Sequence, residues 1–170
     1  MNLYLTDHSI QAPFGEGADS ILLNLNEQTI SPCTGCFSCW IRTPGRCVIR
    51  DDAAKIAPLL ARCDRLMLIT RVQYGCYDLP MKRLLERCLP MQQPFLRVHE
   101  GEIHHVLRDV HPKVAVLIAY DCNSKAQQEL FTRLAERNAK NLNWTAYKVL
   151  FVDEEQLEDT VKKEASAWEE

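Results

Sequence analysis

Two uninterrupted apolar runs constrain the fold of this chain more than any other feature. Leu66 to Thr70 reads LMLIT and Val114 to Ala119 reads VAVLIA, and both have the length of a strand. A strand that is apolar on both faces is buried on both faces, as the central strands of a parallel sheet are when helices cover them. The two runs therefore predict a parallel sheet between helical layers.

Strand and helix patterns alternate along the rest of the chain. Further strand patterns occupy Asn2–Thr6, Ser20–Asn26 and Thr145–Val152. Four helices have predicted inner faces at Ile56, Leu59, Leu60 and Cys63; at Met81, Leu84, Leu85 and Cys88; at Ala126, Leu130, Leu134 and Ala135; and at Leu157, Val161, Ala165 and Trp168. This alternation predicts an α/β fold, a doubly wound parallel sheet of five strands in flavodoxin-like order, arranged as a three-layer α/β/α sandwich.

The connection between the first two strands is unusually short. Only thirteen residues, Asp7 to Asp19, separate them, which is too few for a crossover helix of ordinary length with its two connections. We expect the first helix to be missing or reduced. An apolar sheet face left open costs about 25 cal/mol per Å², so we also expect a homodimer or larger homo-oligomer that covers it.

Length and composition limit the class of protein. With 170 residues, the chain is expected to form a single domain over residues 1–170. It has no apolar run of about eighteen residues and no signal-peptide pattern, which predicts a cytoplasmic protein without a membrane partner. Lys and Arg in the middle of the chain are interleaved with acids and lack aromatic partners, so nucleic-acid binding is not expected.

A cysteine loop, residues 32–52, is the main chemical signal. It holds half of the eight cysteines of the chain, namely Cys33, Cys36, Cys39 and Cys47. Close triple spacing with a more remote fourth thiol favours a [4Fe-4S] cluster over Zn, which prefers separated pairs. The alternatives are a reduced thiol-rich loop without metal, and a Zn or thiol redox sensor. Asp51 and Asp52, at the end of the loop, are suited to cap the next helix.

The ligand site of a doubly wound sheet lies beyond the carboxyl ends of the strands at the switch point. Here those ends supply residues 7–9, 70–78 and 120–123. A long connection between Pro90 and Pro112 adds a further segment, and a connection of this length is usually functional or part of an interface.

Several motifs together carry a resemblance to a known family. They are Pro32-Cys33-x-Gly35-Cys36-x-x-Cys39-Trp40, Pro44-Gly45-x-Cys47, Asp51-Asp52, Gly101-Glu102-x-x-His105 and Arg137-Asn138-Ala139-x-Asn141. Over residues 20–145, the chain resembles the NAD(P)H-dependent FMN reductase and iron-sulfur flavoprotein group of the flavodoxin-like superfamily.

The resemblance implies a function and a set of site residues. It implies FMN as cofactor, NAD(P)H as cosubstrate, hydride transfer to the flavin, and a small-molecule or protein electron acceptor. It also implies that the four cysteines of the loop either hold a [4Fe-4S] cluster that relays single electrons or are a structural relic, and it implies no catalytic side chain. The cofactor-binding residues would be Ser9, Thr70, Arg71, Val72, Gln73, Tyr74, Gly75, Cys76, Tyr120, Asp121 and Cys122.

The sequence also departs from the family pattern. The FMN phosphate needs hydroxyl and free N–H groups at a helix amino end, and the helix that would supply them is the missing one. The usual Ser/Thr-Pro-Val-Tyr after the third strand is replaced by Thr70-Arg71-Val72-Gln73. The alternative to an FMN reductase is therefore a flavin-free paralogue that acts as a binding or assembly subunit.

Overall fold

A parallel sheet forms the centre of the fold. A computed structural model describes residues 1–168. The strands are β1 (Asn2–Thr6), β2 (Ser20–Asn24), β3 (Arg65–Gln73), β4 (Cys76–Tyr77), β5 (Gln92–His99), β6 (Glu102–Leu107), β7 (Lys113–Tyr120) and β8 (Trp144–Val152). The helices are α1 (Ser38–Ile41), α2 (Ala53–Arg62), α3 (Leu79–Glu86), α4 (Lys125–Asn141) and α5 (Leu157–Ser166). Five strands pair in parallel in the order β2-β1-β3-β7-β8, which confirms the predicted doubly wound α/β sheet.

The alternation of side chains along the central strands divides the core into two layers. On β3, Leu66 and Leu68 face the side covered by α2, α3 and α4, whereas Met67 and Ile69 face α5. All four side chains are fully buried. Since burying one such side chain stabilises the fold by roughly 1.5–3 kcal/mol, the apolar run of β3 stabilises both layers. The predicted three-layer arrangement is confirmed.

Residues 7–19 contain no helix, as the short connection predicted, yet they cover the sheet. The ring centroids of Phe14 and Trp168 lie 5.2 Å and 5.3 Å from that of Tyr4 on β1, and Ile10 packs beside them. Tyr4 is consequently only 1% exposed. The exposed sheet face that led us to expect a homodimer is thus covered at β1 by the chain itself, and the homodimer stays a prediction.

The connection between Pro90 and Pro112 contains an antiparallel hairpin of β5 and β6. Its turn residues Glu100 and Gly101 have φ angles of 51° and 76°, the positive values that two-residue hairpin turns require at both positions. The Glu102 carboxylate then accepts hydrogen bonds from the guanidinium group of Arg137 on α4, one of them 2.9 Å long. The hairpin is therefore attached to the sheet domain through α4.

Arg87, directly after α3, fixes both ends of the cysteine loop. Its guanidinium group donates to both carboxylate oxygens of Asp51, at 2.7 and 2.9 Å. It also donates to the carbonyls of Ser31 and Ile49, at 2.8 and 3.2 Å. The ion pair is almost completely buried, with the Arg87 side chain 1% and the Asp51 side chain 7% exposed.

The predicted side-chain cap of α2 was wrong. Asp51 uses its carboxylate for Arg87 and for the backbone N–H of Ser31. Asp52, at the helix start, accepts the N–H of Thr29 at 2.9 Å and the ammonium group of Lys55 at 2.9 Å, but its side chain accepts no backbone N–H of the first turn of α2. Both carboxylates thus hold the cysteine loop closed instead of capping the helix.

Arg87→Ala should lower the free energy of unfolding by about 3 kcal/mol, because it leaves the Asp51 carboxylate buried without its partner. Equilibrium urea denaturation measures this change. Lys82→Ala is the matched control, since it removes the exposed Lys82–Glu86 pair and should cost less than about 0.5 kcal/mol. Equal losses in the two variants would contradict the assigned role of Arg87.

The Arg87–Asp51 ion pair also makes the free energy of unfolding depend on pH. Burial alone would raise the pKa of Asp51, but the hydrogen bonds and charge of Arg87 hold it below its usual value. A lowered folded-state pKa stabilises the fold at neutral pH, and this contribution is lost as the pH falls through that pKa. Arg87→Ala should therefore lose less stability on acidification than the wild type.

Candidate functional site

The carboxyl ends of three parallel strands meet at the carboxylate of Asp7. Asp7 follows β1, and one of its oxygens accepts the backbone N–H of Arg71 on β3 at 3.1 Å and the hydroxyl of Tyr120 on β7 at 3.0 Å. The other oxygen accepts the hydroxyl of Thr70. Asp7 is 5% exposed, so one buried carboxylate connects β1, β3 and β7 at the switch point.

The buried environment of Asp7 changes the pKa values of Asp7 itself and of Tyr120. Burial raises the pKa of Asp7, and the hydrogen bonds from Thr70, Arg71 and Tyr120 offset only part of this rise. Burial and the neighbouring Asp7 likewise raise the pKa of the Tyr120 hydroxyl, which keeps it protonated as a donor. The donors that an external anion would need at this end of the sheet are thus occupied by a group of the chain itself.

A cavity of about 240 Å³ opens beside this cluster, and we call it the crevice. Its lining residues are Arg71, Val72, Gln73, Tyr74, Asp121 and Gln127. The guanidinium group of Arg71 donates to Asp121 at 2.8 Å, which fixes the charged wall of the crevice. Tyr74 is 87% exposed and presents its ring to solvent. Five of the predicted cofactor-binding residues therefore come together here, along with Gln127 on α4, which sequence reasoning missed.

The other predicted cofactor-binding residues lie outside the crevice lining. They are Ser9, Thr70, Gly75, Cys76, Tyr120 and Cys122. Two of them bind Asp7, as described above, and Ser9 is exposed. Gly75 approaches α4 so closely that an added Cβ would lie 2.7 Å from a methyl carbon of Leu130. A role for these six residues in cofactor binding stays a prediction.

The four thiols of the cysteine loop interact electrostatically. Burial raises the pKa of Cys39, and the electrostatic influence of Cys47, Cys33 and Cys36 raises it further. By donor chemistry, four thiols on one loop match the ligand set of a [4Fe-4S] cluster. Within residues 1–168, however, no three Cys, His, Asp or Glu side chains are arranged to hold a metal ion. A cluster would therefore require the loop to change conformation, and the metal site stays a prediction.

Cys36 is the chemically distinct thiol of the loop. It is exposed, and its pKa is lowered to about 7. The hydroxyl of Ser38 is the main cause, followed by the backbone N–H of Ser38 and the hydroxyl of Thr34, because all three donate to the thiolate. Such a thiol is substantially ionised at neutral pH.

The chain is similar in sequence to two iron-sulfur flavoproteins. No family model matches the chain. It is 28% identical over 91 residues to an iron-sulfur flavoprotein of Methanocaldococcus jannaschii, a match that covers 54% of this chain and 46% of the relative. It is 28% identical over 86 residues to an iron-sulfur flavoprotein of Archaeoglobus fulgidus, a match that covers 51% of this chain and 38% of the relative.

A solved structure shares the whole fold. The crystal structure of an FMN-dependent NADH-azoreductase from Bacillus anthracis, in complex with FMN, matches with a TM-score of 0.61 and covers 98% of both chains at 9% identity. The chain has the flavodoxin-like fold and resembles the iron-sulfur flavoproteins. The resemblance inferred from the motifs is thereby confirmed. This flavodoxin-like chain aligns with less than half the length of its curated relatives, so cofactor and activity remain matters of proposal.

Iodoacetamide should label Cys36 half-maximally near pH 7 in protein treated with a chelator, since the thiolate is the reactive species. Mass spectrometry of labelled peptides follows this reaction, and the buried Cys63 and Cys88, with pKa values raised to about 11 and about 12, should stay unlabelled. Ser38→Ala should move half-labelling of Cys36 to higher pH. Ser9→Ala, which removes an exposed hydroxyl outside the loop, should not. Half-labelling of wild-type Cys36 near pH 9 would contradict the assignment.

Proposed function

We propose that this chain is a flavodoxin-like flavoprotein with oxidoreductase activity, and that it binds the flavin ring of FMN in the crevice. The observation that carries the proposal is the position of the crevice, beyond the carboxyl ends of β3 and β7, where doubly wound sheets bind ligands. The names of the two curated relatives, both iron-sulfur flavoproteins, support it.

The crevice offers three kinds of contact to a flat aromatic ligand. Val72 is 4% exposed and provides an apolar floor. The exposed ring of Tyr74 is free to stack on a ligand, and the guanidinium group of Arg71, held by Asp121, is a fixed donor at the rim. A bound flavin would supply the hydride chemistry, so the task of these residues is to orient the ring and leave one face open.

The remaining components of this function are also proposals. NAD(P)H would be the hydride donor, and a small molecule or protein the electron acceptor. Cys33, Cys36, Cys39 and Cys47 would hold a [4Fe-4S] cluster after rearrangement of the loop, and two copies of the chain would form a homodimer.

No helix of the described part of the chain is long and apolar enough to cross a membrane. Cytoplasmic location stays a prediction.

Purified protein should quench the fluorescence of added flavin with micromolar affinity and oxidise NADH or NADPH once flavin is bound. Tyr74→Ala should weaken flavin binding about tenfold, because stacking on an aromatic side chain is worth roughly 1–3 kcal/mol. Tyr147→Ala, which removes a tyrosine ring on β8 outside the crevice, is the control and should bind as the wild type does. Protein that is colourless and quenches neither FMN nor riboflavin would refute the proposal.

One observation favours the second candidate, a flavin-free subunit. The buried carboxylate of Asp7 occupies the strand end at which a phosphate would otherwise meet the backbone, and no helix follows β1 to supply N–H donors. A phosphate brought near Asp7 is repelled, and two like charges 4 Å apart interact by about 4 kcal/mol at an effective dielectric constant of roughly 20. The phosphate of FMN therefore does not fit here in the usual position.

Asp7→Asn should separate the two candidates. If the crevice binds flavin, the wild type should bind riboflavin at least as tightly as FMN, and Asp7→Asn should improve FMN binding at least tenfold by removing the repulsion. Riboflavin affinity should change little. Asp153→Asn, at an exposed carboxylate after β8, is the control. Fluorescence titration gives all the affinities, and a wild type that prefers FMN tenfold would contradict the role of Asp7.

A further inference from the structure

A second and larger cavity, of about 560 Å³, lies between the cysteine loop, α2 and the segment that follows β6. We call it the arginine cavity, because its lining includes Arg46, Arg62, Arg87 and Arg108. Among the described residues that line it, Asp109 is the only acid. It shares no residue with the crevice, so whatever it binds does not depend on the proposed flavin site.

Of the four arginines in this lining, only Arg87 has an ion-pair partner among the described residues. Asp51 neutralises Arg87 through the buried ion pair. Within residues 1–168, by contrast, Arg46, Arg62 and Arg108 have no side-chain hydrogen bond or carboxylate partner. Three unpaired guanidinium groups around one concavity, in a chain of net charge −3, create a local field that attracts anions.

Two buried donors at the cavity also lack partners. The Nε atoms of Arg87 and Arg108 are inaccessible to solvent and have no hydrogen-bond acceptor among the described residues. Arg87 is 2% exposed, and its guanidinium group also hydrogen-bonds to Cys47 in the same lining. Buried polar groups without a partner are rare because they lose their hydration without compensation, and each one calls for an explanation. An anion in the cavity would supply an acceptor for Arg108 once its side chain turned to expose Nε.

The cysteine loop has a glycine, Gly45, where the side chain of Arg108 passes close to its backbone. Gly45 has a φ of +81°, and a Cβ added to it would lie 2.9 Å from Cδ of Arg108. Any larger residue at this position would meet the Arg108 side chain. The glycine thus allows Arg108 to pass along the loop and reach the cavity.

The floor of the cavity is apolar and made of small side chains. Ala53, Ala57 and Ala61 of α2 line it, together with Met91. Small side chains leave room that leucine or isoleucine would fill. A volume of about 560 Å³ with an apolar floor and a few charged groups at the rim is typical of a small-molecule site.

We infer that the arginine cavity binds a phosphate-bearing organic molecule about the size of a mononucleotide. The planar guanidinium groups match the geometry of phosphate oxygens, which they bind in a fork-like manner. The alanine floor accepts the ring or carbon body to which the phosphate is attached. Because Cys47 also lines the cavity, such a ligand would contact the cysteine loop directly.

Isothermal titration calorimetry with AMP, adenosine and inorganic phosphate tests this inference on the full chain. AMP should bind at least tenfold more tightly than either of the other two, since only AMP carries both the phosphate and an apolar body. Arg62→Ala and Arg108→Ala should each weaken AMP binding about tenfold, the usual effect of one charge-assisted hydrogen bond. Arg50→Ala is the matched control, since it removes an exposed arginine of the same loop that does not line the cavity.

Gly45→Ala provides an independent test that keeps every charge. It should weaken AMP binding, because the new Cβ displaces Cδ of Arg108 and an alanine at a φ of +81° strains the loop that lines the cavity. Riboflavin binding should be unaffected in all four variants. AMP that binds no more tightly than inorganic phosphate, or whose binding falls equally in Arg50→Ala and Arg62→Ala, would overturn the inference. In the second case the effect is one of net charge alone.

Discussion

The switch point of this fold depends on one buried carboxylate. Asp7 joins residues 63 and 113 positions further along the chain through its bonds to Thr70 and Tyr120. In an ordinary doubly wound fold, the helix after the first strand closes this corner and turns its amino end towards the ligand. Here residues 7–19 contain no helix, and the carboxylate of Asp7 accepts the hydrogen bonds of Thr70, Arg71 and Tyr120 at this corner. The same contact that connects the strands therefore places a buried carboxylate beside the crevice.

The sheet could be predicted from the sequence because its physical cause is local. LMLIT and VAVLIA are apolar at every position, and a strand buried on both faces cannot tolerate anything else. The absence of the first helix was predictable from the shortness of the connection between the first two strands. Five of the predicted cofactor-binding residues line the crevice together because four of them, Arg71 to Tyr74, are consecutive at the end of β3. What covers β1 was not predictable, since Phe14 and Trp168 are 154 positions apart in the chain.

Some features could not be predicted because they depend on residues far away in the sequence. Asp51 precedes α2, and local reasoning made it a helix cap, whereas its actual partner Arg87 lies 36 residues away. The β5–β6 hairpin was hidden for another reason. Phe95 and Val98 are 67% and 78% exposed, so the strand lacks the alternation between buried apolar and exposed polar residues that sequence reasoning relies on. Gln127 was missed because it belongs to α4 and not to a strand end.

The hydrogen bonds by which Arg87 fixes both ends of the cysteine loop limit how this loop can be transferred to another protein. The cysteine loop and the arginine that closes it belong to different segments of the chain, so residues 32–52 are not a self-sufficient unit. A loop grafted onto another scaffold would bring Asp51 without its countercharge and would lose the attachment of both ends. Any transplantation, natural or engineered, has to carry the residue after α3 along with the loop.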